Sequence, residues 1–332
     1  MLQKCVRAKM MRDSLIKLLD VCWREPKLKF RSRSGLWGRM GKSGNYIFMV
    51  DGRIHHGGMF DRLKGAVTVY AVAKAQQKDF KINWTYPFDL RKYLEPVDVD
   101  WTIDERSMNF NLFTHHTVIA YGEYKSPVRL FKKRRWETHF YYGYDSLKEV
   151  NENYHCNFEW GKLYRELFKP TSYLQQYLDL YQSEIGNDYI AIHTRFMNLL
   201  GDKTETDINP ELPLKGRERL KQDAVRAVRK IIMREEAAYG RHVRVMIASD
   251  SMNFIRYVQK EIADVYVVPG TAKHIDTAGQ TNDGENIKLF TDYYLMAQAR
   301  KVYSLWHEGM WKSAFPEYAA RIGGVHFERM EF

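Results

Sequence analysis

The chain is predicted to be an α/β protein with two doubly wound domains and a basic helical arm ahead of them. Its 332 residues and 45% apolar composition suit two cores, at roughly 150 residues per domain. Through the second half, strand-like apolar runs alternate with helix-period segments, the pattern of a parallel sheet covered on both faces. Three short segments, Ala191-Ile192-His193-Thr194-Arg195, Ala248-Ser249-Asp250-Ser251 and Lys312-Ser313-Ala314-Phe315-Pro316-Glu317, follow strand-like runs or open a helix-like one. They therefore fall on the edge where open parallel sheets bind ligands.

The arm spans residues 1–44. Twelve of the chain's 52 Lys and Arg but only three of its 41 Asp and Glu lie in residues 1–42, which thus carry +9 of the net +11. Leu15-Ile16-Lys17-Leu18-Leu19-Asp20-Val21-Cys22-Trp23 has helical apolar spacing. A basic amphipathic helix on an anionic membrane is one expectation, and a surface helix with solvated lysines the other. Cys5, Cys22 and Cys156 are odd in number, widely spaced and lack a C-x-x-C unit, which argues against a disulfide framework or a zinc site and for a reducing compartment. No stretch approaches the roughly 18 apolar residues of a membrane span, and no secretory leader is apparent. The expected location is cytoplasmic, with peripheral contact to the inner face of the membrane.

A first domain is expected over 45–185. Tyr46-Ile47-Phe48-Met49-Val50 reads as a buried strand, followed by a polar turn from Arg53 to Gly58. Residues 60–77 carry apolar side chains at i, i+3 and i+4, and Phe80-Lys81-Ile82-Asn83-Trp84 reads as the next strand, completing a βαβ unit. Gly57 and Gly58 lack a Cβ and let the backbone approach a ligand closely. Between 85 and 187 the pattern supports only a strand near 117–121 and helices near 160–167 and 173–183. The basic run Lys132-Lys133-Arg134-Arg135 reads as a solvated loop or as a contact for an acidic or lipid-linked acceptor.

The second domain, 186–332, opens after a boundary at 184–188. Strands are expected at 189–193, 243–248, 265–268 and 302–305, with helices at 215–239, 251–262, 285–300 and 313–322. His193 to Arg195, Ser249-Asp250, Pro269-Gly270 and His307 to Gly309 then gather beyond the strand ends.

An arginine, an aspartate and a serine on one such edge suit a nucleotide sugar, whose diphosphate gains negative charge as it leaves. Arg195 can donate two parallel hydrogen bonds to phosphate and stays charged. Ser313, ahead of Pro316 and Glu317, is expected to face outward as the cap of a phosphate-binding helix N-terminus. Asp250 could accept from a base or a ribose hydroxyl, or cap the helix beginning at Ser251. Asp98-Val99-Asp100 has the D-x-D spacing of metal-dependent sugar transfer, but no clear strand precedes it, and metal is not expected. The pairs His55-His56 and His115-His116 point to opposite faces of an extended chain and do not suit one ion; His55-His56 is expected instead to line the cleft.

These pieces, in this order, resemble the GDP-fucose-dependent fucosyltransferase superfamily. The turn Gly57-Gly58-Met59-Phe60-Asp61-Arg62-Leu63-Lys64-Gly65, with Tyr70-Ala71, Pro87-Phe88-Asp89-Leu90 and Tyr93-Leu94-Glu95-Pro96, is similar to its opening. His193-Thr194-Arg195 running to Leu199-Leu200-Gly201-Asp202 resembles its His-x-Arg motif. Ser249-Asp250, Asp292 with Leu295-Met296, and Ser304 through Ser313-Ala314-Phe315 resemble its later motifs. The spacing from Arg195 to Asp202 is looser than usual, Asp61 replaces an asparagine, and the late motif lacks its Ser-Phe-Ser-Trp-Trp run.

The resemblance implies a GT-B fold, with two Rossmann-like domains facing across a cleft, and inverting, metal-independent transfer from GDP-fucose. It implies that Arg195 contacts the β-phosphate and that Asp250, with Ser249 and Ser251, and the segment Ser313, Ala314 and Phe315 hold the GDP. His193 and the turn Gly57, Gly58, Asp61 and Arg62 would line the cleft. As catalytic base, Asp61 or Asp202 is expected, with Glu205 behind them, or no dedicated base. The expected function is transfer of a sugar to a glycan or lipid-linked oligosaccharide in surface polysaccharide or glycan assembly. The alternatives are another nucleotide sugar on the same scaffold, or a basic nucleic-acid-binding protein, which the near-neutral body beyond residue 42 disfavours.

Overall fold

A computed structural model of the protein describes residues 28, 44–111, 113–120, 127–202, 210–271 and 281–332. The chain forms two compact units, Met1–Asp89 with Pro96–Glu159, and Leu90–Glu95 with Trp160–Phe332. Apart from Leu28 and Gly44 the predicted arm lies outside the described residues, as do Glu205 and the expected membrane contact. Among the described residues no helix is long and apolar enough to cross a membrane.

In the first unit, β1 (Tyr46–Val50) is buried at every position, as an uninterrupted apolar run must be when both faces of a parallel sheet are covered. Helix α1 (Met59–Ala75) follows, and β2 (Phe80–Trp84) returns parallel to β1. After the short β3 (Leu94–Glu95) come β4 (His115–Ala120), α2 (Val128–Phe131), β5 (Glu137–Tyr142) and α3 (Leu147–Tyr154). The sheet order is β2-β1-β5-β4, all parallel. On one face Ile47, Met49 and Tyr141 pack with Met108 and Phe110. On the other, Gly65 lets α1 cross β5 so closely that a Cβ there would lie 2.0 Å from the Tyr142 carbonyl oxygen.

The second unit contains β3 and its antiparallel partner β6 (Lys169–Pro170), with α4 (Trp160–Leu167) and α5 (Ser172–Ile185) on either side of β6. The main sheet takes β7 (Tyr189–Thr194), β8 (Arg244–Ser249), β9 (Val265–Tyr266), β10 (Lys301–Trp306) and β11 (His326–Glu331), all parallel in the order β11-β10-β7-β8-β9. Its helices are α6 (Leu214–Tyr239), α7 (Met252–Glu261), α8 (Asp283–Gln298) and α9 (Phe315–Gly323).

Alternation along the strands divides the layers. Ile190, Ile192, Val245, Ile247, Tyr303 and Leu305 form one core with Leu220, Ala224, Val228 and Ile231 of α6 and Phe254, Ile255 and Val258 of α7, the last set spaced for one helix face. The residues between them face α8 and α9: the Tyr189 hydroxyl donates to the Leu295 carbonyl at 2.6 Å, and the His193 ring stacks on Phe315. A Cβ on Gly323 would meet the Ala297 carbonyl oxygen at 1.9 Å, so α9 lies backbone against backbone on α8.

The second unit begins at Trp160 rather than at the expected 184–188. The Arg165 guanidinium reaches the Ile322 carbonyl, and the Tyr164 hydroxyl meets that of Tyr294 at 2.9 Å, so these long-range contacts tie α4 to α9 and α8. The segment Leu90–Glu95 belongs to the same unit through Asp283. That carboxylate pairs with the Lys92 ammonium at 2.7 Å and accepts the Tyr93 and Tyr173 hydroxyls.

Candidate functional site

The sequence-predicted residues of the second unit come together where β7, β8 and β10 end. Thr194 donates its hydroxyl to Ser249 Oγ at 2.9 Å, and Ser249 Oγ also accepts the Ser251 N–H at 3.2 Å. The Asp250 carboxylate accepts the Phe196 and Met197 N–H groups at 2.8 and 2.7 Å. It therefore fastens the loop that starts at Arg195 rather than capping α7. That cap is Ser251, whose Oγ accepts the Phe254 N–H at 3.0 Å.

Asp202 accepts the Ser251 hydroxyl and the Asn253 N–H, the latter at 2.9 Å. Both of its oxygens are thereby committed to the first turn of α7, where the helix dipole favours a carboxylate.

Arg195 leaves the end of β7 half-buried, with its guanidinium carbon 5.8 Å from the centre of the Trp311 ring. Its carbonyl accepts the Trp311 N–H at 3.3 Å, which joins the loop after β7 to the loop after β10. Behind it, His193 is 8% exposed, and its Nδ1 has no hydrogen-bond partner. Burial, reinforced by the charges of Arg195 and Arg329, pushes its pKa down to about 3, so the ring is neutral at physiological pH.

Register places a second cation in this group. His193 lies opposite Ser304, and Ser304 opposite Arg329, so the three residues form one row across β7, β10 and β11. The Arg329 guanidinium donates to the Ser313 carbonyl at 3.0 Å and lies 3.7 Å from Glu317. Ser313 is buried, not outward-facing as predicted, and its Oγ accepts the Phe315 N–H at 3.2 Å. The N-cap of α9 is Ala314, which makes no side-chain cap, and Pro316 is the second residue of the helix. The Phe315 amide is thus held by Ser313 and Pro316 has no N–H, so what this end offers an anion is the positive end of the helix dipole.

The predicted residues of the first unit have other surroundings. Gly57 adopts φ +71°, a conformation that glycine takes without Cβ strain, and Gly58 precedes α1. Arg62 is 2% exposed: its Nε donates to the Gly57 carbonyl at 2.9 Å and its Nη1 to the Tyr86 carbonyl at 2.7 Å. It braces the glycine turn from within, because those carbonyls and the faces of Trp84 and Tyr86 surround its charge. Asp61 is half-exposed in the first turn of α1 and lies 3.3 Å from Lys64. His56 accepts the Gly52 N–H at 3.0 Å, while His55 is exposed.

Asp100 of the D-x-D spacing pairs with Lys81 at 3.1 Å and holds Thr102 in a turn. Among the described residues no group of three His, Cys, Asp or Glu is arranged to hold a metal ion.

Sequence reasoning passed over Arg329 and Trp311. Arg329 lies on β11, whose charged residues hide its strand period, and its approach to Ser313 follows from register across the sheet. Trp311 offered one signal, an aromatic residue between the end of β10 and the predicted helix.

No family model matches the chain, and no curated protein matches it in sequence. Solved structures do resemble it. The fucosyltransferase NodZ from Bradyrhizobium matches with a TM-score of 0.53 at 17% identity, over 84% of this chain and 93% of its own. NodZ alpha-1,6-fucosyltransferase co-crystallized with GDP matches with a TM-score of 0.52 at 16% identity, over 84% and 92%. An Arabidopsis thaliana FUT1 variant in complex with GDP matches with a TM-score of 0.55 at 11% identity, over 91% and 74%. The chain thus shares the α/β fold of these fucosyltransferases, with its parallel sheets.

Proposed function

We propose that the chain is a glycosyltransferase that moves fucose from GDP-fucose to a hydroxyl of a glycan or lipid-linked oligosaccharide. The observation that carries this reading is the convergence of Arg195, the neutral His193 and the N-terminus of α9 on one sheet edge. The fold shared with GDP-bound fucosyltransferases supports it.

In this reading the acceptor oxygen bonds to the sugar C1 as the bond from C1 to the β-phosphate oxygen breaks, with inversion. The electron pair stays on the departing diphosphate oxygen, and the charge of Arg195 and the dipole of α9 stabilise it. A fixed donor of this kind contributes about 10²–10³-fold to the rate. Asp250, Ser249 and Ser251 position the Arg195 loop, and the segment 313–315 holds the nucleotide. With Asp202 committed to α7, the acceptor proton passes to another carboxylate or to water. No divalent metal is assigned a step.

Thermal shift and calorimetry against GDP, UDP, CMP and an oligonucleotide test this reading. GDP at a hundred times its Kd is expected to stabilise the fold by about 2.7 kcal/mol. Stabilisation by UDP or CMP alone would move the assignment to another sugar nucleotide, and by the oligonucleotide alone to a nucleic-acid-binding protein. Arg195→Ala is expected to abolish transfer with the fold intact, and EDTA to leave transfer unchanged.

A further inference from the structure

The loop after β10 exposes a large aromatic ring in spite of being fastened along its length. Trp306 Nε1 donates to the Met310 carbonyl at 3.1 Å, and the Met310 N–H returns to the His307 carbonyl at 2.9 Å. The Lys312 ammonium lies 3.7 Å from the centre of the Trp306 ring, the Ser313 N–H donates to the Trp311 carbonyl at 2.9 Å, and Arg329 holds the Ser313 carbonyl. Within this frame Met310 turns inward, 7% exposed, while the adjacent Trp311 is 52% exposed. Burial of an aromatic ring stabilises a fold, and here a well-fixed loop forgoes that gain beside Arg195.

We propose that Trp311 is the platform for the pyranose ring carried by the nucleotide, an inference that rests on the donor-site reading above. Arg195 is assigned there to the β-phosphate, and the group bonded to that phosphate is the sugar. The indole centre lies 5.8 Å from the guanidinium carbon, so the ring flanks the place assigned to that phosphate. One face of a pyranose presents C–H bonds, which pack against a π face through weak hydrogen bonds and dispersion. The cation–π contact with Arg195 sets the tilt of the ring, so phosphate and sugar would be read by two neighbouring side chains.

Calorimetric titration of the full chain with GDP and with GDP-fucose tests the assignment, using wild type, Trp311→Ala and Trp311→Phe. Trp311→Ala is expected to weaken GDP-fucose by about five- to tenfold and to leave GDP within about twofold, while Trp311→Phe keeps most of the sugar-dependent affinity. Equal loss for both ligands would make the indole a prop for Arg195 and overturn the proposal, as would no loss for either. Wild type that binds GDP keeps the donor-site reading in place whatever Trp311 does. Wild type that binds neither nucleotide overturns both.

Discussion

The Asp250 carboxylate accepts the Phe196 N–H at 2.8 Å, tying the corner after β8 to the residue that follows Arg195. The second carboxylate oxygen takes the Met197 N–H. One aspartate therefore governs the path of the loop from which the guanidinium emerges.

Asp250→Ala is expected to cost about 1–3 kcal/mol of stability, because two amides lose a charged acceptor. GDP affinity should fall by at least about tenfold through the displaced Arg195 loop. Urea unfolding and calorimetry on the same variant check the two effects separately.

The buried pair on α8 offers a second test. Lys288 donates to the Val268 carbonyl at 2.9 Å and reaches Asp292 at 3.0 Å, with both side chains nearly inaccessible. Lys288→Met is expected to destabilise by about 3–5 kcal/mol, since Asp292 would be buried without its counter-ion, and the double variant Lys288→Met/Asp292→Leu should recover much of that. Denaturant midpoints decide the matter: a double variant as unstable as the single would sink the explanation.

Acid should weaken the fold through His193. Its folded pKa, about 3, lies below the ordinary value of 6.5, so the unfolded chain binds the extra proton between those limits. This contribution is fully present at neutral pH and is lost as pH falls below 6.5, at about 1.4 kcal/mol per unit towards pH 3. His193→Phe is expected to flatten the stability profile between pH 6.5 and 5, as measured by melting at matched ionic strength.

Gly323→Ala is expected to cost about 1–3 kcal/mol by pushing α9 away from α8, because the added Cβ meets a backbone oxygen that has little room to yield. The N-terminus of α9 should move with it and GDP binding should weaken, a coupling that melting and titration of the variant would reveal.

Strands β7, β8 and β10 were legible in the sequence to within a residue or two at their ends, because each is an apolar run bounded by polar turns. β5 escaped notice since its Phe140, Tyr141 and Tyr142 lie among Thr138 and His139, and a strand buried on every residue shows no alternation. The placement of His193, Arg195 and Asp250 near strand ends followed from topology. Their partners did not, because hydrogen bonds from Asp250 to Phe196 and from Arg329 to Ser313 join residues 54 and 16 positions apart. The partners of Arg62 were equally hidden, because its Nη1 reaches the Tyr86 carbonyl 24 positions away while its Nε holds the Gly57 carbonyl.

The stretch Leu90–Glu95 carries a practical consequence. It lies in the chain between two halves of the first unit, yet Lys92 and Tyr93 anchor Asp283 at the head of α8, and Leu94 pairs with Pro170. A fragment starting at Trp160 would lose these six residues, unpairing β6 and leaving Asp283 without its ammonium partner. Splitting the gene at one point would therefore yield no intact half, and a nucleotide-binding fragment would need the hexapeptide grafted back.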